Sequence, residues 1–222
     1  DVCSSDLWKK INSMPENAGD LVSRAHLIVA LYGYLLGSIP FGLVLTRLAG
    51  LGDVREIGSG NVGATNVLRT GNKPLALLTL LLDAGKGGIA AMIAYHVYPG
   101  GPSGLDFAIV AGLAAVIGHN FPVWLKFEGG KGVATTFGTL LAISWQVALA
   151  ACVTWAVIAA LFRYSSLAAL VALAAAPFYA WFMGFEKVAV LAALLAILGF
   201  IRHYENIRRL LKGEESKIGR KK

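Results

Sequence analysis

Long apolar stretches alternate with short polar ones along most of the chain. Seven apolar segments can be recognised, at residues 27–50, 75–98, 106–124, 133–144, 146–163, 166–183 and 187–207. A helix needs about 20 residues to cross a bilayer, a length that the first, second, sixth and seventh segments satisfy readily. Apolar residues run on continuously instead of alternating with polar ones, so the pattern predicts helices and not the strands of a membrane barrel.

The number of crossings depends on residues 131–164, a stretch that is too long for one span and short for two. With two spans the total is seven, and the cationic loops share one side of the membrane with the basic C-terminus. With one span they lie on opposite sides. Because Lys and Arg concentrate in cytoplasmic loops, we expect seven transmembrane helices, with the N-terminus outside and the C-terminus in the cytoplasm. The loop cations are Arg55, Arg69, Lys73, Lys126 and Lys131.

Composition supports a membrane protein. Of the 222 residues, 56% are hydrophobic and 15% are charged, against about 45–50% and 25% in soluble domains. This excludes an ordinary soluble domain, a disordered chain and, with two cysteines, a disulfide scaffold. Cys3 and Cys152 lie in no CxxC or Cys/His spacing, so no metal site is expected.

The first residues differ from the rest. Residues 1–26 are polar and mixed in charge, and the codons that residues 1–7 imply resemble the end of a sequencing adaptor. We therefore expect a non-native or disordered extension at 1–26, followed by a membrane domain at 27–213 and a basic cytoplasmic tail at 214–222.

The C-terminal region is strongly basic. From Arg202 to Lys222 there are eight basic and three acidic residues, a net charge of +5. Such a region could bind nucleic acid. Directly after an apolar span it is more typical of a cytoplasmic anchor beside anionic lipid, so we expect membrane lipids and no nucleic acid as partners.

Three polar, glycine-rich stretches separate the spans, and the first covers residues 58–69. Its glycines let the backbone approach an anion closely, and its short polar side chains can donate hydrogen bonds. Arg69 could bind a phosphate through two nitrogens. The alternative is a well-capped turn that leads into a helix. The remaining candidates here are Gly58, Ser59, Gly60, Asn61, Gly63, Thr65 and Asn66.

The second stretch places Asp83 and Lys86 three residues apart, on one face of an apolar helix. Ionisable residues at membrane depth are costly, which makes them candidates for function. They could contact an anionic substrate directly, or they could form an ion pair that holds a broken helix together.

The third stretch joins His119 and Asn120, at the end of one span, to a Gly-Gly-Lys-Gly run at 129–132 that opens the next. Glycines at a helix N-terminus suggest a second anion site, although the spacing of a P-loop is absent. His119 could be a general acid or base near pH 7 or a structural histidine. His203 and Asn206 could face the same pocket or lie at the membrane interface.

Together these stretches resemble the signature of the bacterial acyl-phosphate-dependent glycerol-3-phosphate acyltransferase (PlsY) family. The resemblance covers roughly residues 27–215. Glu128 departs from it, because a basic or variable residue is expected before Gly-Gly-Lys. The matching residues are Gly37 to Gly42, Ser59 to Arg69, Asp83 to Gly87, Gly118 to Thr135, Arg202-His203 and Glu205-Asn206.

The resemblance implies a seven-helix enzyme of the bacterial inner membrane whose active site faces the cytoplasm. It would transfer a fatty acyl group from acyl-phosphate to the 1-hydroxyl of sn-glycerol 3-phosphate. The products would be lysophosphatidic acid and phosphate, in the first step of bacterial phospholipid synthesis. No cofactor and no metal would be required.

The same resemblance assigns the site residues. Direct attack needs positioning and charge neutralisation more than a protein nucleophile. The Ser59–Arg69 loop would hold the donor phosphate, and Lys131 would help hold glycerol 3-phosphate. Asn120 or loop N–H groups could stabilise the oxyanion, and the base could be His119 or a substrate phosphate oxygen. The catalytic set is Ser59, Asn61, Arg69, His119, Asn120 and Lys131; the substrate-binding set is Gly60, Gly63, Thr65, Asn66, Asp83, Lys86, Gly129, Gly130, Gly132, Ser166, His203 and Asn206.

Other classes fit the sequence less well. None of the four histidines has the His-x4-Asp spacing of many acyl-CoA-dependent acyltransferases. The spaced aspartates of CDP-alcohol phosphotransferases and the Arg-Pro and Ser-Gly-His elements of lipid phosphatases are also missing. A transporter for a phosphorylated solute would usually carry repeated halves, which this sequence does not show.

Overall fold

A computed structural model describes residues 18–98 and 102–219 of the chain. All regular structure in these residues is helical, which confirms the predicted all-α membrane fold. In chain order the helices are α1 (Ala18–Gly37), α2 (Phe41–Leu48), α3 (Ala64–Val67), α4 (Lys73–Val97), α5 (Pro102–Asn120), α6 (Val133–Ile143), α7 (Trp145–Phe162), α8 (Ser165–Phe182), α9 (Glu186–Arg202) and α10 (Tyr204–Leu211).

All seven predicted apolar segments form helices, but they differ in how completely they could cross a membrane. α9 and α10 qualify only as a bent pair, with an angle of 64° between them. α6 has 11 residues, about 16 Å of helix against a hydrocarbon core of about 30 Å. Seven complete crossings therefore stay a prediction. Within the described residues, five stretches are long and apolar enough to span: Arg24–Leu48, Lys73–Val97, Gly104–Leu125, Trp145–Phe162 and Ser165–Phe182.

The short α6 and the longer α7 form an up-and-down pair. Lys131, just before α6, contacts Asn206, and the amide group of Asn206 contacts Glu215. Arg163, just after α7, exchanges backbone and side-chain hydrogen bonds with Ile218. Both ends of residues 131–164 therefore lie at the end of the bundle that carries the C-terminal residues, as two antiparallel segments require.

A break at Ser38–Pro40 separates α1 from α2. Proline has no backbone N–H to continue the helical ladder. The carbonyl of Ile39 instead accepts a hydrogen bond of 2.8 Å from Nζ of Lys86 on α4. A side chain of one helix thus stabilises the interruption of another.

Glycines allow the helices to pack closely. A Cβ atom on Gly37 of α1 would lie 2.0 Å from the carbonyl oxygen of Ala115 on α5, and one on Gly138 of α6 would lie 1.9 Å from that of Ala84 on α4. Backbones in contact through small residues are typical of helices in membranes. Large apolar side chains such as Leu161 and Phe182 point outward, where lipid would surround them.

The structure differs from the predicted boundaries at both ends of the membrane domain. Residues 1–17 lie outside the described residues, but α1 begins at Ala18, so residues 18–26 belong to the first helix. At the other end, Glu215 and Ser216 bond to the body of the protein instead of extending from it. Residues 220–222 lie outside the described residues.

Candidate active site

A cavity of about 680 Å³ opens at the end of the bundle where the polar stretches meet. It joins three distant parts of the chain: the loop after α2, the loop before α6, and the junction of α9 with α10. Six of its residues were predicted for the site: Ser59, Gly60, Asn61, Gly129, Lys131 and Asn206. The others are Asp53, Arg55, Glu56, Glu128, Ile201, Arg202, Tyr204 and Glu205.

Asn66 holds the first glycine-rich stretch in shape. Its Oδ1 accepts from the N–H of Ser59 at 3.0 Å and from Nη1 of Arg69 at 3.3 Å. Its Nδ2 donates to three backbone carbonyls of the loop, those of Val54, Ile57 and Asn61. The side chain is buried. Asn66 therefore positions Ser59 and Arg69, and its contact with substrate stays a prediction.

The other loop donors are also partly used within the loop. The N–H of Gly60 donates to the carbonyl of Ile57 at 3.0 Å, and the N–H of Gly63 donates to Oδ1 of Asn61 at 2.8 Å. These two hydrogen bonds shape the turn, and the part of Gly60 and Gly63 in binding a phosphate stays a prediction. Thr65 lies at a different edge, with its hydroxyl 3.5 Å from that of Ser165.

Lys131 is the central cation of the cavity. Its Nζ donates to Oδ1 of Asn206, which joins the loop before α6 to α10. Burial and then the positive charge of Arg209 lower the pKa of Lys131 to about 8. The ammonium group is therefore charged at neutral pH, close to its titration range.

Glu215 lies beside this cation. It accepts hydrogen bonds from Ser166 at 2.8 Å, from Nδ2 of Asn206 at 2.7 Å and from Nε of Arg209 at 2.7 Å. Burial raises the pKa of Glu215, but these hydrogen bonds outweigh it, so the pKa lies below its ordinary value. Next to it, Ser216 accepts a 2.7 Å hydrogen bond from Nη2 of Arg69. Residues 214–219, which we call the C-terminal strap, thus bind Asn206 of the cavity lining and the neighbouring Arg69.

The glycine-rich run at 129–132, in the third stretch, bonds to the end of α5. The N–H of Gly129 donates to the carbonyl of Asn120 at 3.2 Å, and the N–H of Gly130 donates to that of His119 at 2.9 Å. These two N–H groups are therefore used within the protein, and a second anion site around Lys131 stays a prediction. Gly132 has a φ of +76° and precedes the first turn of α6.

The predicted charged pair lies behind the cavity. Nζ of Lys86 is 2.9 Å from Oδ1 of Asp83, and Nδ1 of His119 is 3.6 Å from the same oxygen. All three side chains are buried, and none is among the described residues that line the cavity. The structure therefore shows Asp83 and Lys86 as an ion pair, while substrate contact by this pair and the role of His119 as a base stay predictions.

Two more predicted residues are buried. Asn120 has no exposed surface, and its role at the oxyanion stays a prediction. His203 lies between the lining residues Arg202 and Tyr204, with its Nδ1 2.7 Å from the carbonyl oxygen of Gly199. It supports the bend between α9 and α10.

Comparison with known proteins shows the family of this chain. A family model described as glycerol-3-phosphate acyltransferase matches residues 27–213. The glycerol-3-phosphate acyltransferase of Rhodospirillum rubrum is 66% identical over 199 residues, which cover 88% of this chain and 92% of the relative. That of Paramagnetospirillum magneticum is 63% identical over 190 residues, covering 86% and 92%. The chain belongs to the glycerol-3-phosphate acyltransferase family.

Two solved structures are similar to this member of the acyltransferase family. Both are of PlsY (YgiH), an integral membrane glycerol 3-phosphate acyltransferase. The glycerol 3-phosphate form has a TM-score of 0.81 and 42% identity, covering 87% of this chain and 96% of that one. The lysophosphatidic acid form has a TM-score of 0.79 and 41% identity, covering 87% and 95%. The family and the multi-pass membrane fold predicted from sequence are confirmed.

The sequence analysis of this acyltransferase did not include Glu215 among the candidate site residues. It was counted only as an acid in a basic tail, although an acid that follows a span so closely among cations was an available signal. Arg202 was named among the residues that carry the family resemblance, but no local signal indicated that its side chain would bind the carbonyls of Gly129 and Gly130.

Proposed function

We propose that the protein transfers a fatty acyl group from acyl-phosphate to the 1-hydroxyl of sn-glycerol 3-phosphate, giving lysophosphatidic acid and inorganic phosphate. The family supports the acceptor, and the two forms in which PlsY was solved support the acceptor and the product. The observation that carries the proposal is the ammonium group of Lys131, fixed by Asn206 in a cavity that Ser59 also lines. This ammonium group can bind a phosphate next to the loop that carries the Ser59 hydroxyl.

Acyl-phosphate as donor brings a second anion to the site. Arg69 supplies a second cation, a guanidinium group that Asn66 holds in the loop that carries Ser59. At the rim of the cavity, Ile201 and Tyr204 are mostly exposed and apolar, which suits the start of an acyl chain. Each methylene group that is buried there contributes about 0.8 kcal/mol.

The reaction follows from the chemistry of a mixed anhydride. The 1-hydroxyl oxygen forms a bond to the acyl carbonyl carbon, and the bond between that carbon and the phosphate oxygen breaks. The hydroxyl proton passes to a phosphate oxygen, because the buried His119 lies away from the cavity. Lys131 neutralises charge on a phosphate group, which is the main demand of such a step. Asn61, which lines the cavity, is the remaining polar candidate to orient the acceptor.

We place the enzyme in the bacterial inner membrane, with its cavity open to the cytoplasm, the N-terminus outside and the C-terminus inside. The support is the concentration of cations at the cavity end of the bundle, where Arg55, Lys131 and Arg202 line the cavity itself. There it would carry out the first acylation of phospholipid synthesis. The catalytic unit comprises residues 27–213 together with the C-terminal strap.

Acyl transfer by the purified protein tests the proposal. Labelled glycerol 3-phosphate is supplied with palmitoyl-phosphate, palmitoyl-CoA or a palmitoyl thioester of acyl carrier protein, in separate reactions. We expect lysophosphatidic acid with palmitoyl-phosphate alone. Product formed only from a thioester would contradict acyl-phosphate as the donor. No product from any of the three donors, in folded protein, would overturn the proposed function.

The route of transfer needs its own measurement. Direct attack leaves the protein unmodified, whereas a Ser59 acyl-enzyme would add the mass of the acyl group. We expect the intact mass after rapid quenching to be unchanged. An acyl adduct that disappears in Ser59→Ala would contradict direct transfer.

A further inference from the structure

Arg202, the last residue of α9, grips the glycine loop that precedes α6. Its Nε donates to the carbonyl of Gly130 at 3.0 Å, and its Nη2 donates to the carbonyl of Gly129 at 2.8 Å. The guanidinium carbon also lies 5.1 Å from the ring centroid of Phe121. A guanidinium group thus bridges two consecutive carbonyls and rests on an aromatic face.

The loop is fixed from its other side as well. The N–H groups of Gly129 and Gly130 donate to the carbonyls of Asn120 and His119 at the end of α5. A Cβ atom on Gly130 would lie 1.9 Å from Nε2 of His119, so the backbone is pressed against that ring. The backbone of residues 129–130 is therefore bonded to α5 on one side and to Arg202 on the other, which fixes its position.

These hydrogen bonds on both sides of the loop fix the orientation of the backbone that leads into Lys131. In a trans peptide the carbonyl and the following N–H point in opposite directions. With the carbonyl of Gly130 bound to Arg202, the N–H of Lys131 must point away from α9, which fixes the orientation of the backbone that carries the Lys131 side chain. The tip of the same side chain is bound by Asn206, four residues after Arg202.

We propose that Arg202 is a positioning residue for acyl transfer: by binding the carbonyls of Gly129 and Gly130 it sets the place at which Lys131 meets the phosphate of glycerol 3-phosphate. The inference rests on the proposed function. Two donors in one planar group suit two adjacent carbonyls, whereas a lysine offers a single point charge. The geometry of the group therefore matters here, and not only its charge.

Two variants separate geometry from charge. Arg202→Lys keeps the positive charge but loses the paired N–H donors of the planar guanidinium group, and Arg202→Gln loses both the charge and this geometry. Positioning predicts that both raise KM for glycerol 3-phosphate by about tenfold or more while KM for palmitoyl-phosphate changes less than about twofold. The matched controls are Arg208→Lys and Arg208→Gln on the exposed Arg208 of α10, which should leave both constants unchanged.

Hydrogen exchange gives a readout that does not depend on turnover. In Arg202→Lys the amides of residues 129–132 should exchange at least about tenfold faster, with those of α8 unchanged, because only the loop is released. Faster exchange throughout the bundle, or a variant that does not fold, would make Arg202 a determinant of folding and overturn the positioning role.

The kinetic outcomes are equally decisive. Arg202→Lys with wild-type constants, beside an impaired Arg202→Gln, would show that Arg202 acts by charge on the substrate. Normal constants in both variants would overturn the inference while leaving the proposed function intact. An inactive wild-type protein with all three acyl donors would instead reject the proposed function itself.

Discussion

Asp83 and Lys86 form a 2.9 Å ion pair in which the side chains keep only 2% and 1% of their surface exposed. Lys86 also donates to the carbonyl of Ile39 at the break between α1 and α2. The buried ammonium group of Lys86 thus binds both a carboxylate on its own helix and a backbone carbonyl at the break between two others. Charges buried in this way stabilise a structure only as a complete set, because either one alone is poorly solvated.

Removing one partner should therefore be costly. Asp83→Asn leaves Lys86 buried without its counter-charge, and we expect the free energy of unfolding to fall by about 3–5 kcal/mol. Asp106→Asn is the matched control, since Asp106 and Lys187 form a pair of 2.6 Å that is nearly half exposed; it should cost about 0–1 kcal/mol. Equilibrium unfolding in detergent compares them, and equal losses would contradict a special role for the buried pair.

Lys131 should give the enzyme an alkaline limit. A lysine binds phosphate as an ammonium ion, which is present below its pKa and is lost as the pH rises through about 8. We therefore expect kcat/KM for glycerol 3-phosphate to fall above about pH 8, since this constant reports groups of the free enzyme. A pH profile of initial rates measures it.

The matched variants for this profile are Lys131→Arg and Lys126→Arg. Arginine remains charged throughout, so Lys131→Arg should remove the alkaline limb even if it lowers the plateau. Lys126 is exposed outside the cavity, and its replacement should leave the profile unchanged. An alkaline limb that persists in Lys131→Arg would assign the titration to another group.

Asn66 should affect stability and activity together. Asn66→Ala leaves the carbonyls of Val54, Ile57 and Asn61 without their shared donor and frees the N–H of Ser59. We expect a loss of about 1–3 kcal/mol in unfolding free energy and a fall in kcat/KM of at least about tenfold.

A second asparagine provides the control. Asn72 caps α4 by accepting from the N–H of Leu75 at 3.0 Å, outside the cavity. Asn72→Ala should lose about 1 kcal/mol of stability and keep its kinetic constants. If Asn66→Ala lost stability alone, its loop would not be part of the catalytic site.

Gly130 should tolerate no side chain. In Gly130→Ala the new methyl group would overlap His119, and overpacking of this kind costs about 1–3 kcal/mol or displaces the loop. We expect KM for glycerol 3-phosphate to rise at least about fivefold. Gly85→Ala is the control, because a Cβ there meets no atom within 4 Å; unchanged kinetics in both variants would show that the loop can shift without consequence.

The spans could be predicted because continuous hydrophobicity is a local property, and each apolar segment does form a helix. The 64° bend after Arg202 could not, since no proline lies there and Gly199, three residues earlier, is within an apolar run that reads as one continuous helix. In the site, three residues predicted from the pattern, Ser59, Lys131 and Asn206, line one cavity, while their roles stay predictions. The pattern did not show that the N–H groups of Gly129 and Gly130 are taken by α5, because hydrogen-bond partners depend on how distant segments pack.

The C-terminal strap has a consequence for biosynthesis. Ribosomes deliver a membrane protein from its N-terminus, so Ser59 and Arg69 reach the bilayer long before Ser216, which Arg69 binds. Until the strap has been synthesised, Ser166, Asn206 and Arg209 lack the carboxylate of Glu215, to which all three donate hydrogen bonds. The contacts of the strap therefore form only after residues 214–216 have been synthesised, later than the helices whose side chains they join.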